Sequence, residues 1–110
     1  MIVRQSAPMP LLTVELRSAQ GEVLDRVFDE GAIARLTQSV DHRSSVCLRF
    51  IDPYGNTVFN STQAAVLSAE LNTAKGTVVD REDQERLAAV ADLADRCAVS
   101  LHVLLWFIGD

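Results

Sequence analysis

Apolar and polar residues alternate strictly from Leu12 to Arg17, with Leu12, Val14 and Leu16 on one side and Thr13, Glu15 and Arg17 on the other. A period of two sends successive side chains to opposite faces of an extended chain, so "LLTVELR" is predicted to be a half-buried strand. "SAQGE" supplies a turn, and "EVLDRVF" alternates again, with Leu24, Arg26 and Phe28 opposite Val23, Asp25 and Val27. The two runs read as a hairpin, with the buried face of the second strand left open by the pattern.

The period then lengthens. In "EGAIARLTQSV", Ile33, Leu36 and Val40 recur at helical spacing, and Asp29 stands where its carboxylate can accept from the first free backbone amides. "VCLRFI" returns to alternation, with Val46, Leu48 and Phe50 on one face, and is expected to be a third strand ending at Asp52-Pro53. "DPYGN" has the chemistry of a tight reverse turn, and "NTVFN" reads as a short returning strand.

Asn60, Ser61 and Thr62 are all competent N-caps for "QAAVLSAELNTAK", whose stripe is Ala64, Leu67, Leu71 and Ala74. Lys75 and Gly76 form its expected stop, the glycine being able to adopt a left-handed conformation. Asp80 caps a longer helix with an acidic first turn, and Leu87, Val90, Ala91, Ala94, Cys97, Ala98 and Leu101 mark its apolar face. "HVLLWFIGD" is apolar on both alternating sides, as expected of a strand inside the sheet or of one whose second face meets another molecule.

The resulting order, β-β-α-β-β-α-α-β, defines an α+β domain. It has two layers: a predominantly antiparallel or mixed sheet of about five strands, and about three helices on one face. No repeat, low-complexity tract or long linker divides residues 1–110, so they are read as one domain with residues 1–10 as a flexible arm. Helices on one face alone would leave apolar side chains on the other, a feature that a dimer or another partner would explain.

Composition narrows the classes of function. The formal net charge is −5, and residues 61–110 carry eight carboxylates against four bases. Nine of the ten basic residues are arginines, scattered singly, with no basic stripe or interleaved aromatics to track a phosphate backbone. Direct nucleic-acid binding is therefore not expected, whereas an acidic surface suits a basic protein partner. The longest apolar run, Val103–Ile108, is far too short to span a bilayer, and no signal-peptide pattern opens the chain, so no membrane association is expected and the cytoplasm is the expected location.

The chain contains no phosphate-binding glycine loop, nucleophile elbow, paired-cysteine zinc motif or dinucleotide fingerprint, and no cofactor or metal is expected. Cys47 and Cys97 lie within apolar periodic runs, as buried reduced thiols do, and His42 follows Asp41 in a polar loop without a second ligand at metal spacing. The leading expectation is a non-enzymatic protein-interaction module, of the immunity type that neutralises bacterial toxins or an accessory protein, able to form homo-oligomers through its sheet. Its expected contact residues are Tyr54 and Asn56 on the "DPYGN" turn and Glu82, Glu85, Asp92 and Asp95 on the acidic helix. The alternative is a small enzyme or ligand-binding domain with a polar cleft. That cleft would be formed by Asp52 and Asp110 at the ends of parallel neighbouring strands, with Tyr54, Asn56 and His102 beside them. His102 could also serve Cys47 as a base.

Overall fold

A computed structural model describes residues 10–39 and 45–109. Its elements are β1 (Thr13–Ser18), β2 (Val23–Phe28), α1 (Ala32–Ser39), a 3-10 turn (Leu48–Phe50), β3 (Asn56–Phe59), α2 (Ser61–Lys75), α3 (Arg81–Ala98) and β4 (Val103–Ile108). The strands form one antiparallel sheet in the order β2-β1-β4-β3. Among the described residues the fold is α+β with three helices, and the sheet has four strands rather than five.

One face of the sheet carries Val14 and Leu16 of β1, Leu105 and Phe107 of β4 and Phe59 of β3, all buried. Leu67 and Leu71 of α2 and Leu87, Val90 and Leu93 of α3 close over them in a single core cluster with Ile33 and Leu36 of α1. Phe59 meets Phe107 edge to face at 5.7 Å between ring centroids. Removing each large side chain from water contributes about 1.5–3 kcal/mol, so this layer supplies the main drive for folding.

Side-chain carboxylates fix the ends of several elements. Asp29, fully buried, accepts from the amides of Leu12 at 2.7 Å and of Gly31 and Ile33 at 3.0 Å each. It thereby joins the start of β1 to the start of α1 across a turn in which Glu30 and Gly31 have φ of 54° and 86°. Asn60 and Gln63 exchange side-chain and backbone bonds in a capping box at α2, and Asp80 accepts from the amide of Asp83 at α3. Asp83, itself buried, takes a two-pronged bond from Arg35 at 2.7 and 2.8 Å, which anchors α1 to α3.

Three sequence expectations fail for identifiable reasons. "VCLRFI" is not a strand, because Glu70 of α2 accepts from the consecutive amides of Val46, Cys47 and Leu48 at 2.5, 3.0 and 2.9 Å and keeps them from any sheet ladder. The segment coils into the 3-10 turn, which buries Cys47, Leu48 and Ile51 and turns Val46 and Phe50 outward. Gly76 remains right-handed at φ −66°, since its own amide and that of Thr77 bond back to Thr73 and Ala74. The apolar stripe of α3 also ends sooner than expected: the helix stops at Ala98, and Leu101 is 82 % exposed. Residues 1–9, the loop containing Asp41 and His42, and Asp110 fall outside the described residues.

Candidate functional site

The face of the sheet opposite α2 and α3 has no described element over it. The strand registers align its side chains in rows: Arg26, Glu15, Trp106 and Val58 across the middle, and Phe28, Thr13, Ile108 and Asn56 beside them. Val23, Arg17 and Leu104 form a third row, beyond the irregularity between Leu16 and Arg17 at which Leu24 is left without a partner in the register. Phe28 is 60 % and Leu24 48 % exposed, and Trp106, Leu104 and Ile108 are half-buried. Aromatic, aliphatic and arginine side chains together are the composition enriched at protein interfaces.

Glu15 lies at the centre of this face, yet only 4 % of it is exposed. The arginines on either side account for its burial. Oε1 accepts from Nε of Arg17 at 2.8 Å and lies 2.5 Å from its Nη2, and Oε2 accepts from Nε of Arg26 at 2.7 Å and lies 2.7 Å from its Nη2. The guanidinium of Arg17 lies 4.3 Å from the Trp106 ring centroid and that of Arg26 5.9 Å from Phe28. Burial pushes the Glu15 carboxyl upward, but the hydrogen bonds and charges of Arg17 and Arg26 outweigh it and hold the group below its ordinary value. One carboxylate thus pins two cations in place over two aromatic rings.

Asp25 and Asp83 are likewise held below the ordinary carboxylate value, each chiefly by a hydrogen bond from an arginine, Arg96 and Arg35 respectively. Carboxyls depressed in the folded state stabilise it fully above their unfolded values, ordinarily 4.5 for Glu and 3.8 for Asp, and lose that contribution as the pH falls through the folded ones. The thermal midpoint is therefore expected to fall progressively below about pH 4.5. A midpoint unchanged down to pH 3 in a calorimetric series would contradict this assignment of ion pairs.

Of the sites expected from sequence, the reverse turn forms as read. Asp52 accepts from the Tyr54 amide at 2.9 Å, Gly55 closes the turn onto the Asp52 carbonyl, and Tyr54 is 69 % exposed at the tip. The turn leads from the 3-10 segment into β3 rather than joining two paired strands, and its Pro53 and Gly55 carbonyls press on Gly109 just beyond β4. A Cβ at Gly109 would lie 2.4 Å from the Pro53 oxygen, so a side chain there forces the turn and β4 apart.

Of the expected cleft, His102 stands apart from the Asp52 turn. Asp52 does not end a strand, because "VCLRFI" forms the 3-10 turn, yet its turn meets Gly109 at the end of β4, and Asp110 itself is outside the described residues. His102 lies at the opposite end of β4 from the Asp52 turn, about 20 Å away at roughly 3.3 Å per strand residue. His102 accepts the Ala19 amide through its carbonyl, while Cys47 packs beside Gln63 and Glu70, so no thiol–imidazole pair forms. Burial, with the Glu70 charge, pushes the Cys47 thiol up, and burial alone does so for Cys97. No group of three or more metal-ligating side chains occurs among the described residues, and no helix there is long and apolar enough to cross a membrane.

On α3, Glu82, Glu85 and Asp92 point outward, and each meets an arginine of its own helix at i, i+4 spacing, at 3.4, 3.5 and 3.8 Å. Asp95 turns toward α2 and accepts from the Ser68 hydroxyl. Glu82 and Glu85 also border a shallow groove with Val27, Arg86 and Ala89. Sequence reasoning did not single out Glu15, Arg17, Arg26, Phe28 and Trp106 as a site. Their alternation placed each on a strand face, but only the strand order brings them together. Family models, curated proteins and solved structures yield no match to this chain.

Proposed function

We propose that the chain is a non-enzymatic protein-interaction module that docks a protein partner on the open face of its sheet. The observation that carries this reading is the face over which no described element lies, where Phe28, Trp106 and Ile108 surround a fixed Arg-Glu-Arg cluster. Exposed apolar surface costs free energy in water, and its contiguity here, around rings with bound guanidinium groups, is the pattern of an interface rather than of isolated surface residues. Asn56 belongs to this face, and Tyr54 projects from the adjoining turn. The outer side of α3, with Glu82, Glu85 and Asp92, is a second docking strip suited to a basic protein, weakened by its internal ion pairs. An immunity-type or accessory role is the form of this function that the chain's small size and acidity favour, with the cytoplasm as its setting.

A photo-crosslinking phenylalanine analogue at position 28 tests the reading in the native host. One discrete adduct with another protein is expected, lost when Trp106→Glu places a charge in the face. An adduct of two copies of this chain would identify a homo-oligomer instead. Absence of any adduct from positions 28, 54 and 82 alike would overturn the interaction reading.

A further inference from the structure

The charge on the open face contrasts with that of the chain. Arg17 and Arg26 share the single carboxylate of Glu15, so the cluster has one uncompensated positive charge within a chain of net charge −5. Glu15 engages Nε and Nη2 of both arginines, and Nη1 of each has no protein acceptor among the described residues. These donors are held in place, because the ring contacts and the shared carboxylate already fix both guanidinium groups. A second carboxylate would complete the cluster and take two charge-assisted bonds, with little ordering cost on this side.

Dimensions limit what can carry that carboxylate. Four strands about 4.8 Å apart, three of six residues and β3 of four, give a face of at most roughly 15 by 20 Å. Its footprint of about 300 Å² is small for any occupant, a dimer of this chain or another protein alike. Such a dimer would bring the two positive clusters together. A single helix fits: about 13 residues span 20 Å, and the 10–12 Å width of a helix covers the central rows.

We propose that the open face binds an amphipathic helix of another protein, with an Asp or Glu inside its apolar stripe seated against Nη1 of Arg17 and Arg26. The stripe lies on Phe28, Trp106 and Ile108, and the helix completes a third layer over the sheet. This inference rests on the interaction reading above and specifies its partner.

Trp106 is the only tryptophan, so its emission reports directly from the face. The test selects a phage-displayed library of random 16-residue peptides against the full chain, followed by titration of synthesised winners. Enriched sequences are expected to carry one or two acidic residues among Leu, Ile and Phe at helical spacing, and to shift Trp106 emission to the blue. Their Kd should rise at least tenfold in Arg26→Gln and in Arg26→Lys, which keeps the charge without the fork, with circular dichroism confirming that both variants fold. Winners without acidic residues, or winners that bind the folded variants as tightly as the parent, would overturn carboxylate recognition while leaving the interaction reading intact. Failure of every winner to move Trp106 emission would overturn the helix proposal alone, since the crosslinking experiment judges the broader reading independently. A dimer in sedimentation that shields Trp106 would likewise overturn it, by placing a second copy on the face.

Discussion

Asp29→Ala is expected to destabilise the fold by about 3 kcal/mol, enough to remove a large share of the roughly 5–15 kcal/mol typical of a small domain. The substitution leaves the buried amides of Leu12, Gly31 and Ile33 without their acceptor. An unsatisfied buried donor costs about 1–3 kcal/mol, and the lost cap of α1 is part of the same deficit. The turn that the carboxylate holds is also intrinsically unfavourable, because Glu30 is a non-glycine residue at φ 54°. Asp29→Asn should rescue part of the loss, since its Oδ1 can still accept from Leu12 and Gly31 while its amide NH2 faces the Ile33 amide that needs an acceptor. Urea unfolding monitored at Trp106 measures the effect, and a loss below about 1 kcal/mol would show that water replaces the carboxylate.

Glu70→Ala should have the second largest effect, about 2 kcal/mol, with a chemical signature in addition. Its carboxylate is the acceptor for three consecutive amides at Val46, Cys47 and Leu48, and without it the segment loses the contact that binds it to α2. Cys47 should then react at least tenfold faster with a disulfide reagent, because exposure and removal of the neighbouring charge both favour its thiolate. Cys97, fully buried in α3, provides an internal control whose rate should remain slow. Equal acceleration at both cysteines would indicate global unfolding. No acceleration at either would show that core packing of Leu48 and Ile51 holds the segment by itself.

These two carboxylates also mark the boundary of what the sequence reveals. Asp29 was legible as a cap because an N-cap acts on amides within a few residues, as do Asn60 and Asp80. The role of Glu70 was not, because it sits mid-helix more than twenty residues from the amides it binds, and local alternation in "VCLRFI" gave no sign that those amides were taken. The open face follows the same logic. Alternation gave the correct side for Thr13, Glu15 and Arg17 but left open which face of the second strand is buried, and the meeting of Arg26 and Phe28 with Trp106 depends on β1 lying beside β4, a pairing some ninety residues apart. The polar cleft was legible only in part, since nothing local showed that "VCLRFI" would give up its ladder or that His102 would lie at the far end of β4 from the Asp52 turn.

The placement of β4 between β1 and β3 also governs how quickly the chain reaches its native state. The β1–β2 hairpin and the α2–α3 pair can form from local contacts, but a lone two-stranded hairpin is marginal in water. β3 has no partner other than β4, so half of the sheet waits for one late strand to insert between two elements distant in sequence. Closing those loops costs entropy before any ladder bond returns it, and the barrier is therefore dominated by the search of β4 for its slot. Until that step is complete, the apolar edges of β1 and β3 remain unpaired, which makes the interval before insertion the period of greatest exposure to aggregation.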